Sequence, residues 1–433
     1  MTGDTLRTRF YRVARVGLVL GGLVGAIWAQ EQPATRRKPT QYVVTDLGPL
    51  ANNPFSLAVG ISQNGLVNGG TSAPDGSFHA TLWFGRTIVD LATPGLGGAN
   101  SEAFGVNERG HASGLAETST SDPNGEDFCG FGTHVTCLPF LWHSGVMTAL
   151  PTLGGNNGEA GEINNLGEVA GNAENSTVDS TCPVGGPQVF EEKPVIWENG
   201  RIKKLDTVRG DPDGWAFGIN DNGEAVGASG ICSALNPESG VYILSRHALL
   251  WDKGKAIDLG NLGGTGTFGP GNIGGEINNQ DQVVGTSDLK SDTSYHAFLW
   301  TKEKGIRDLG TLPGDVNSAG LGINGAGDIV GASFDADGDP RAFVRLNGVL
   351  TDLNTLTPAD SPLYLLIAHG INSRGEVVGF GVDGTGDVHA FLATPRERTG
   401  EISETIEKAR PILTENVRKL VHSRMGFGRF PHH

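Results

Sequence analysis

The chain repeats one short segment seven times. Each copy begins with Ile or Val, continues through a polar residue and a turn rich in Asn and Gly, and ends in a small run such as Glu-Val-Val-Gly. The leading residue stands at positions 61, 106, 163, 219, 277, 323 and 371, so the copies lie 45 to 58 residues apart. Because Asn and Gly tolerate the positive φ of tight turns, each copy predicts a β-hairpin.

Two further elements follow each hairpin. The first is an apolar and aromatic run, such as Tyr-His-Ala-Phe-Leu-Trp at 295–300, that is typical of a strand buried on both faces. Other copies stand at 78–83, 139–142, 193–197, 246–251, 341–346 and 388–393. The second is a short motif that contains a Leu, such as Asp-Leu-Gly, at 89–91, 148–150, 203–205, 257–260, 307–310 and 351–354. The hairpin supplies two strands and each of the two further elements supplies one, so the pattern predicts four strands per repeat.

The last of these short motifs is displaced along the chain. No copy follows 388–393, but Tyr-Val-Val-Thr-Asp-Leu-Gly precedes the first repeat at 42–48. A strand at 42–47 would pair with 389–392 and complete the last sheet. A closed ring removes the strand edges that an open row would expose, whereas a linear solenoid would need atypical caps, which the sequence lacks.

We therefore predict an all-β fold over residues 41–395. It is a seven-bladed β-propeller of four-stranded antiparallel blades, in which an N-terminal strand completes the last blade. After Pro395 the repeat pattern ends, and apolar residues recur at helical spacing. Residues 396–433 are predicted to be a basic helical tail, broken by Pro411. It would pack on the propeller or contact a cell-surface partner.

Three motifs in fixed order resemble the bacterial extracellular HAF repeat family. They are Gly-Ile-Asn-x-x-Gly-x-Val-Val-Gly, His-Ala-Phe-Leu-Trp and Asp-Leu-Gly-Thr-Leu-Gly-Gly, and they cover about residues 42–394. The resemblance implies an exported protein and no general reaction. Kelch propellers look similar in period, but only Gly69 and Gly70 match their glycine doublet. Pro139 and Pro194 interrupt the second motif, so we expect distorted sheets there, because Pro donates no ladder hydrogen bond.

The N-terminus carries an export pattern. Basic residues between Arg7 and Arg15 precede an apolar run from Val16 to Ala29. A basic start, a short apolar core and a small final residue predict a signal peptide over residues 1–29. The alternative is an uncleaved membrane anchor through residues 16–29, although a span needs about twenty apolar residues. Residues 30–40 would be a linker, and the protein would be secreted, periplasmic or at the cell surface.

Composition bounds the partners. The chain has 48 acidic and 32 basic residues, a net charge of −16, and 67 dispersed glycines that fit many tight turns. An acidic surface argues against a nucleic-acid partner, which favours clustered Lys and Arg. The four cysteines, an even number, fit an oxidising compartment. We favour disulfides Cys129–Cys137 and Cys182–Cys232 among three pairings, and no C-x-x-C spacing suggests zinc.

Recurrent His and Trp residues are interpreted as structural. The histidines occupy one position in different blades, so they cannot converge on a metal, and we expect a hydrogen bond such as one to a neighbouring blade. The tryptophans end the third strands, where packing between blades is expected and glycan stacking is the alternative. The residues are His79, His247, His296 and His389, with Trp83, Trp142, Trp197, Trp251 and Trp300.

A few residues could carry binding or chemistry. Trp215 lies in a connection facing the channel mouth, as a ligand contact or as core. Glu102, Glu159 and Asp213 lie in connections taken as equivalent, where paired acids would suit a polysaccharide hydrolase or lyase. Asp335, Asp337 and Asp339 resemble the start of a calcium loop, but no bidentate Glu follows, and a plain turn is the alternative.

The longest insertions join the second strand to the third in three consecutive blades. They are Glu117–Cys137, Ala173–Glu192 and Ser229–Ser245, and they should emerge side by side on one rim. Loops on a rigid scaffold commonly carry function, although surface loops also drift. We therefore predict a monomeric, non-enzymatic protein without cofactor that binds a protein or glycan through this rim. The alternatives are the hydrolase or lyase and a structural cell-surface component.

Overall fold

The computed structural model describes residues 40–50, 55–85, 87–92, 95–183, 188–232, 243–397, 409–415 and 417–418. The predicted signal or anchor at 1–29, the linker up to residue 39 and most of the tail lie outside these residues. Within the described ranges, no helix is long and apolar enough to cross a membrane.

The described residues form seven antiparallel sheets of four strands each, as predicted. Blades 1 to 3 contain β2 Ser56–Ile61, β3 Leu66–Ser72, β4 Phe78–Phe84 and β5 Thr87–Asp90; β6 Gly97–Val106, β7 Ala112–Ser121, β8 Val135–His143 and β9 Val146–Ala149; and β10 Gly154–Ile163, β11 Val169–Val178, β12 Phe190–Glu198 and β13 Arg201–Lys204. Blades 4 and 5 contain β14 Asp213–Ile219, β15 Ala225–Cys232, β16 Ile243–Asp252 and β17 Lys255–Asp258; and β18 Ile273–Ile277, β19 Val283–Asp288, β20 Tyr295–Thr301 and β21 Gly305–Gly310.

The last two blades complete the fold. Blade 6 contains β22 Asn317–Ile323, β23 Ile329–Phe334, β24 Pro340–Leu346 and β25 Val349–Asp352, followed by a 3₁₀ helix at Leu353–Leu356. Blade 7 contains β26 Tyr364–Ile371, β27 Val377–Val382, β28 Val388–Glu397 and, from the other end of the chain, β1 Thr40–Asp46.

Blade 7 closes the ring as predicted. β1 pairs antiparallel with β28, with Asp46 opposite Phe391, and Tyr42 is only 1% exposed. Asn372 of blade 7 donates from Nδ2 to the carbonyl of Ser62 in blade 1, at 3.3 Å. The N–H of Ala390 donates to Oγ of Ser56 at 3.0 Å. These contacts join the last blade to the first.

Tryptophans pack between blades, as predicted. Trp83, Trp197 and Trp251 are no more than 1% exposed, while Trp142 and Trp300 are half-buried. Trp197 donates from Nε1 to the carbonyl of Pro151, 2.8 Å away in the connection from the preceding blade, and Trp251 makes the equivalent bond to Asp206 at 2.6 Å. Their indoles therefore fasten neighbouring blades, because a buried N–H needs an acceptor.

Close approach of two strands explains the glycine that ends each hairpin motif. A Cβ at this position would lie 1.9 to 2.2 Å from a carbonyl oxygen of the blade's first strand, for glycines 69, 114, 171, 227, 285, 331 and 379. Each first strand carries a β-bulge beside this contact. Bulged residues, including Val59, Phe104 and His369, line a cavity in the central channel.

A ring of asparagine side chains explains the Ile-Asn pair. From Asn107 onward, each Nδ2 donates to the backbone carbonyl of the next blade's equivalent residue, at 2.9 to 3.3 Å. The Oδ1 atom caps the blade's own turn; that of Asn220 accepts N–H groups from Asn222 and Glu224 at 3.0 Å. An amide side chain carries its donor and its acceptor on two separate atoms, so Asn serves both the turn and the ring.

Two expectations need correction. The ladders run without a register shift past Pro139 and Pro194, so the distortion predicted there is wrong. Both residues still accept through their carbonyls, from Leu150 and Leu205. The recurrent histidines are structural, but their partner is not in a neighbouring blade. Each Nδ1 lies 2.8 to 3.0 Å from an Asp carboxylate on the fourth strand of the same sheet, in the pairs His79–Asp90, His247–Asp258, His296–Asp308 and His389–Asp46.

Candidate functional site

The two faces of the propeller differ. We call the face with the connections between second and third strands, and between blades, the loop face. The opposite face, with the Asn-x-x-Gly turns, is the turn face. The three long insertions lie on the loop face of consecutive blades 2, 3 and 4, as predicted. Their described parts, 117–137, 173–183, 188–192, 229–232 and 243–245, are termed the platform.

Two disulfides reinforce the platform, in the predicted pairing. Cys129–Cys137 closes a loop within the blade 2 insertion, with Cα atoms 5.5 Å apart. Cys182–Cys232 joins the blade 3 insertion to the end of β15 in blade 4, with Cα atoms 4.7 Å apart. Such bonds persist in oxidising compartments outside the cytoplasm.

Hydrogen bonds continue the linkage between blades 2 and 3. The N–H of Val189 donates to Oε1 of Glu126 at 2.6 Å, across the two insertions. Asn157, in β10, donates from Nδ2 to Oδ2 of Asp122 at 2.9 Å, and its Oδ1 accepts the N–H of Cys137 at 2.9 Å. The acids are buried and bonded, so they hold backbone in place rather than face solvent.

Asp213 links blades 3 and 4. Its Oδ1 accepts from the N–H of Glu192 at 2.9 Å and from Nε2 of Gln188 at 3.0 Å, and its Oδ2 accepts the N–H of Cys232 at 3.1 Å. It is fully buried. Burial first, and then the nearby Asp179, hold its pKa well above the usual range. Asp213 therefore braces two insertions of the platform.

The solvent-facing part of the platform is small and polar. Its exposed described residues are Ser119, Thr120, Ser121, Pro123, Asn124, Gly125, Gly132, Thr133, His134, Ser176, Thr177, Val178 and Ser180. Val178 is the largest apolar side chain among them, at 64% exposed. No Phe, Tyr or Trp of the described platform is exposed, which leaves hydrogen bonding as its main means of recognition.

The channel is filled towards the loop face. Trp215 is 4% exposed, donates from Nε1 to Glu192 at 2.8 Å, and packs in a central cluster with Leu57 and Ile273. The core alternative for Trp215 is thus confirmed. Glu102 and Glu159 occupy the register position of Trp215 in their own blades and are 2% and 8% exposed.

The predicted equivalence of the three channel acids is wrong for Asp213. It lies two residues before Trp215, and its ladder partner is Gly230, whereas Trp215 pairs with Ala228. All three acids are buried, so these three residues do not form the open acidic mouth that a hydrolase or lyase would use.

A cavity of about 530 Å³ opens on the turn face. Five asparagines of the ring and the bulged residues Val59, Phe104 and His369 line it, together with Glu162 of blade 3 and Glu276 of blade 5. Burial raises the pKa of Glu162, and burial, followed by the charge of Glu162, raises the pKa of Glu276 well above its usual range. Because a neighbouring negative charge disfavours ionisation, Glu276 resists losing its proton.

Sequence reasoning missed this pair, although a signal was present. The residue before the Ile-Asn pair is Gly in five repeats, at 60, 105, 218, 322 and 370, but Glu at 162 and 276. The preceding residue changes in step: it is Gly161 or Gly275 in those two repeats and a larger side chain in the others. Comparing the repeats position by position would have found the replacement of Gly by Glu in these two repeats.

Two groups that resemble metal sites are already bonded within the protein. In Asp335–Asp339, Oδ1 of Asp335 accepts the N–H groups of Asp337 and Asp339 at 3.0 Å, which is the turn alternative. The carboxylates of Asp335 and Asp339 also bind arginines of the tail. Asp179, Cys182 and Cys232 form the one ligand-like group among the described residues, but both sulfurs belong to a disulfide and are not thiolate ligands.

Part of the tail packs on the propeller, as one alternative predicted. Residues 409–414 are not helical, whereas 415, 417 and 418 are, and the predicted helix before Pro411 lies outside the described residues. Leu413 is 5% exposed within the central cluster.

Comparisons with known proteins return structures alone. No family model matches the chain. No curated protein matches it either. The solved structures include a putative TolB from Agrobacterium tumefaciens, with 11% identity over 65% of this chain and 90% of that one, and a TM-score of 0.34. The Aleuria aurantia lectin has 7% sequence identity over 82% of this chain and 97% of the lectin, and a TM-score of 0.32. The Trypanosoma rangeli sialidase has 10% sequence identity over 82% of this chain and 60% of the sialidase, and a TM-score of 0.33. At these values the comparisons bear on neither ligand nor activity.

Proposed function

We propose that this chain is an exported, non-enzymatic binding protein that holds a protein or a glycan on the platform. One observation carries the proposal: three neighbouring insertions are joined to each other by Cys182–Cys232 and by the bond between Val189 and Glu126. Loops ordered before binding lose less conformational entropy when a ligand arrives, which favours affinity.

Export rests on independent features. A signal peptide at 1–29 would deliver the chain to an oxidising compartment, where both disulfides persist. Membership of the HAF repeat family, proposed from the three motifs, points the same way. Secretion into the medium and retention in the periplasm or at the cell surface are distinguished by fractionating cells.

The experiment compares two valines of equal exposure. Biotinylated protein beginning at residue 30 is presented to a glycan array and used to capture proteins from a cell-envelope extract. Val178, on the platform, and Val349, after a turn on the opposite face, are both 64% exposed. We expect Val178→Asp to weaken binding of the captured ligand at least about tenfold, since a charge at an interface core is costly. Val349→Asp should bind like the parent.

Two outcomes would overturn the proposal. One is equal binding by the parent and Val178→Asp, which would put the ligand elsewhere. The other is turnover of a bound oligosaccharide by the parent protein, seen as new reducing ends or unsaturated products, which would favour the hydrolase or lyase alternative. Circular dichroism of both variants checks that the blades remain folded.

A further inference from the structure

The described tail residues, 409–415 and 417–418, lie on the loop face against blade 6. Neighbouring side chains of this segment differ in whether they contact the propeller. Leu413 enters the central cluster beside Phe334 and is 5% exposed, whereas its neighbour Ile412 is 95% exposed. The segment is therefore held in one orientation by Leu413 as its buried apolar anchor, and the half-buried Val417 packs against the same cluster.

Two arginines flank that anchor and bind acids of blade 6. Arg418 makes a bidentate pair with Asp339, from Nε to Oδ1 at 2.6 Å and from its Nη2 to Oδ2 at 2.8 Å. Arg410 binds Asp315 and Asp335 with one nitrogen each. Paired N–H groups of arginine fit a carboxylate in a fixed plane, which gives the contact direction as well as energy.

The acids that receive the arginines are positioned by the propeller itself. The side chain of Asp315 is 1% exposed and accepts from Nε of Arg341 at 2.9 Å. Oδ1 of Asp335 is occupied by the N–H groups of its own turn. Removing the tail would therefore leave these carboxylates in place, beside the apolar cluster that Leu413 covers. The surface is a preformed receptor.

We propose that this surface is a peptide-docking site, and that residues 409–415 and 417–418 of the tail are its exchangeable intramolecular occupant. Its ligand is a segment of another protein with an arginine, a leucine three residues later and a second arginine five residues after that. The site is separate from the platform, so either proposal can fail alone. A tethered occupant acts at an effective concentration of about 1 mM, so an external peptide competes weakly until the tail is released.

The experiment releases the tail in the full-length protein. Leu413→Asp places a charge in the apolar cluster, while Ile412→Asp changes an exposed neighbour and serves as the matched control. A fluorescent peptide covering 407–420 is titrated with each protein, and binding is read as anisotropy. We expect Leu413→Asp to bind the peptide at least about tenfold more tightly than the parent or Ile412→Asp, because its site is vacant more of the time.

Acid substitutions then locate the bound peptide. In the Leu413→Asp background, Asp339→Asn should lower peptide affinity about tenfold through loss of the bidentate pair. Asp387→Asn alters the equivalent turn of blade 7, whose carboxylate bonds Thr385, and should leave affinity unchanged. Equal peptide binding by all full-length proteins, or equal loss in both Asn variants, would overturn the proposal. Should Leu413→Asp melt below the assay temperature, a chain ending at Glu397 replaces it.

Discussion

At Gly227 a Cβ atom would stand 1.9 Å from the carbonyl oxygen of Trp215. The bulged first strand of the blade approaches the second strand so closely that no side chain fits. We expect Gly227→Ala to destabilise the protein by about 3 kcal/mol, because the backbone must shift within a packed sheet. Chemical denaturation with urea measures the change.

A second glycine separates this contact from a general effect of removing glycine. Gly384 lies in a turn of blade 7 with no atom within 4 Å of its Cβ position. Gly384→Ala should alter the free energy of unfolding by less than about 1 kcal/mol. A comparable loss in both variants would show that the close approach at Gly227 is not what selects glycine there.

A buried carboxyl group, Asp288, makes stability depend on pH. Burial, aided by the charge of Asp292, raises its pKa to about 7, while Oδ2 accepts the N–H of Phe268 at 2.9 Å. The folded protein keeps this proton between about pH 4 and pH 7, whereas the unfolded chain has released it. The free energy of unfolding therefore falls as pH rises through this window and levels off above it.

Substitution of Asp288 by its uncharged analogue tests the direction of this pH dependence. In Asp288→Asn this contribution to the fall disappears, so the melting temperature relative to the parent should rise from pH 5 to about pH 7 and level off above it. At about 1.4 kcal/mol per pKa unit, the change is on the order of 3 kcal/mol. Asp360→Asn, at an exposed position, should show no such trend. A difference that shrinks with rising pH would contradict the argument.

At the scale of elements, the two disulfides should contribute unequally. Cys182–Cys232 spans 50 residues and Cys129–Cys137 spans 8. Since a longer closed loop restricts the unfolded chain more, replacing both cysteines by serine should cost about 4 kcal/mol for the first pair and about 2.5 kcal/mol for the second. Differential scanning calorimetry of the two double variants measures the order. The reverse order would mean that folded-state contacts, not loop length, dominate.

Strand order could be predicted from the sequence because each blade repeats the same local signals. The hairpin turns, the third strands and the displaced strand at 42–47 all correspond to observed elements. Which side chains contact each other across a sheet was harder to predict. His296 was expected to reach a neighbouring blade, yet it pairs with Asp308, because the two residues stand on adjacent strands of one sheet and meet on one face.

The site was predictable only in part, for a geometric reason. Insertions could be assigned to one face because strand direction alternates, and the pairing favoured among three for the cysteines is the one observed. Whether an acid is exposed depends on what packs above it, and the sequence pattern carries no such information for Glu102 or Glu159. The contact between Arg410 and Asp315 joins residues 95 positions apart, and no local periodicity reports it.

For the whole molecule, stability should depend on the strand that completes blade 7. Tyr42, Val44 and Leu47 are 1%, 8% and 8% exposed. Deleting residues 41–48 should lower the free energy of unfolding by about 5 kcal/mol, from the apolar surface uncovered on β28 and the lost side chains. A thermal melt of the deleted protein, compared with the parent, tests this directly.

Point substitutions on the same strand supply the control. Val43 is 39% exposed, whereas Val44 faces the core. Val44→Ser should reproduce part of the loss, about 2 kcal/mol, and Val43→Ser should have little effect. If the deletion and both serine variants melted like the parent, the two chain ends would not be holding the ring together.

The pairing of β1 with β28 has a consequence for how the protein is made. The strand at 40–46 is synthesised first, yet its partner arrives only with residues 388–397, the last part of the propeller. Every shorter product, from a premature stop or a proteolytic cut, leaves the side of Tyr42 uncovered and an edge unpaired. Only a chain translated through its final blade can therefore close the ring and resist proteases.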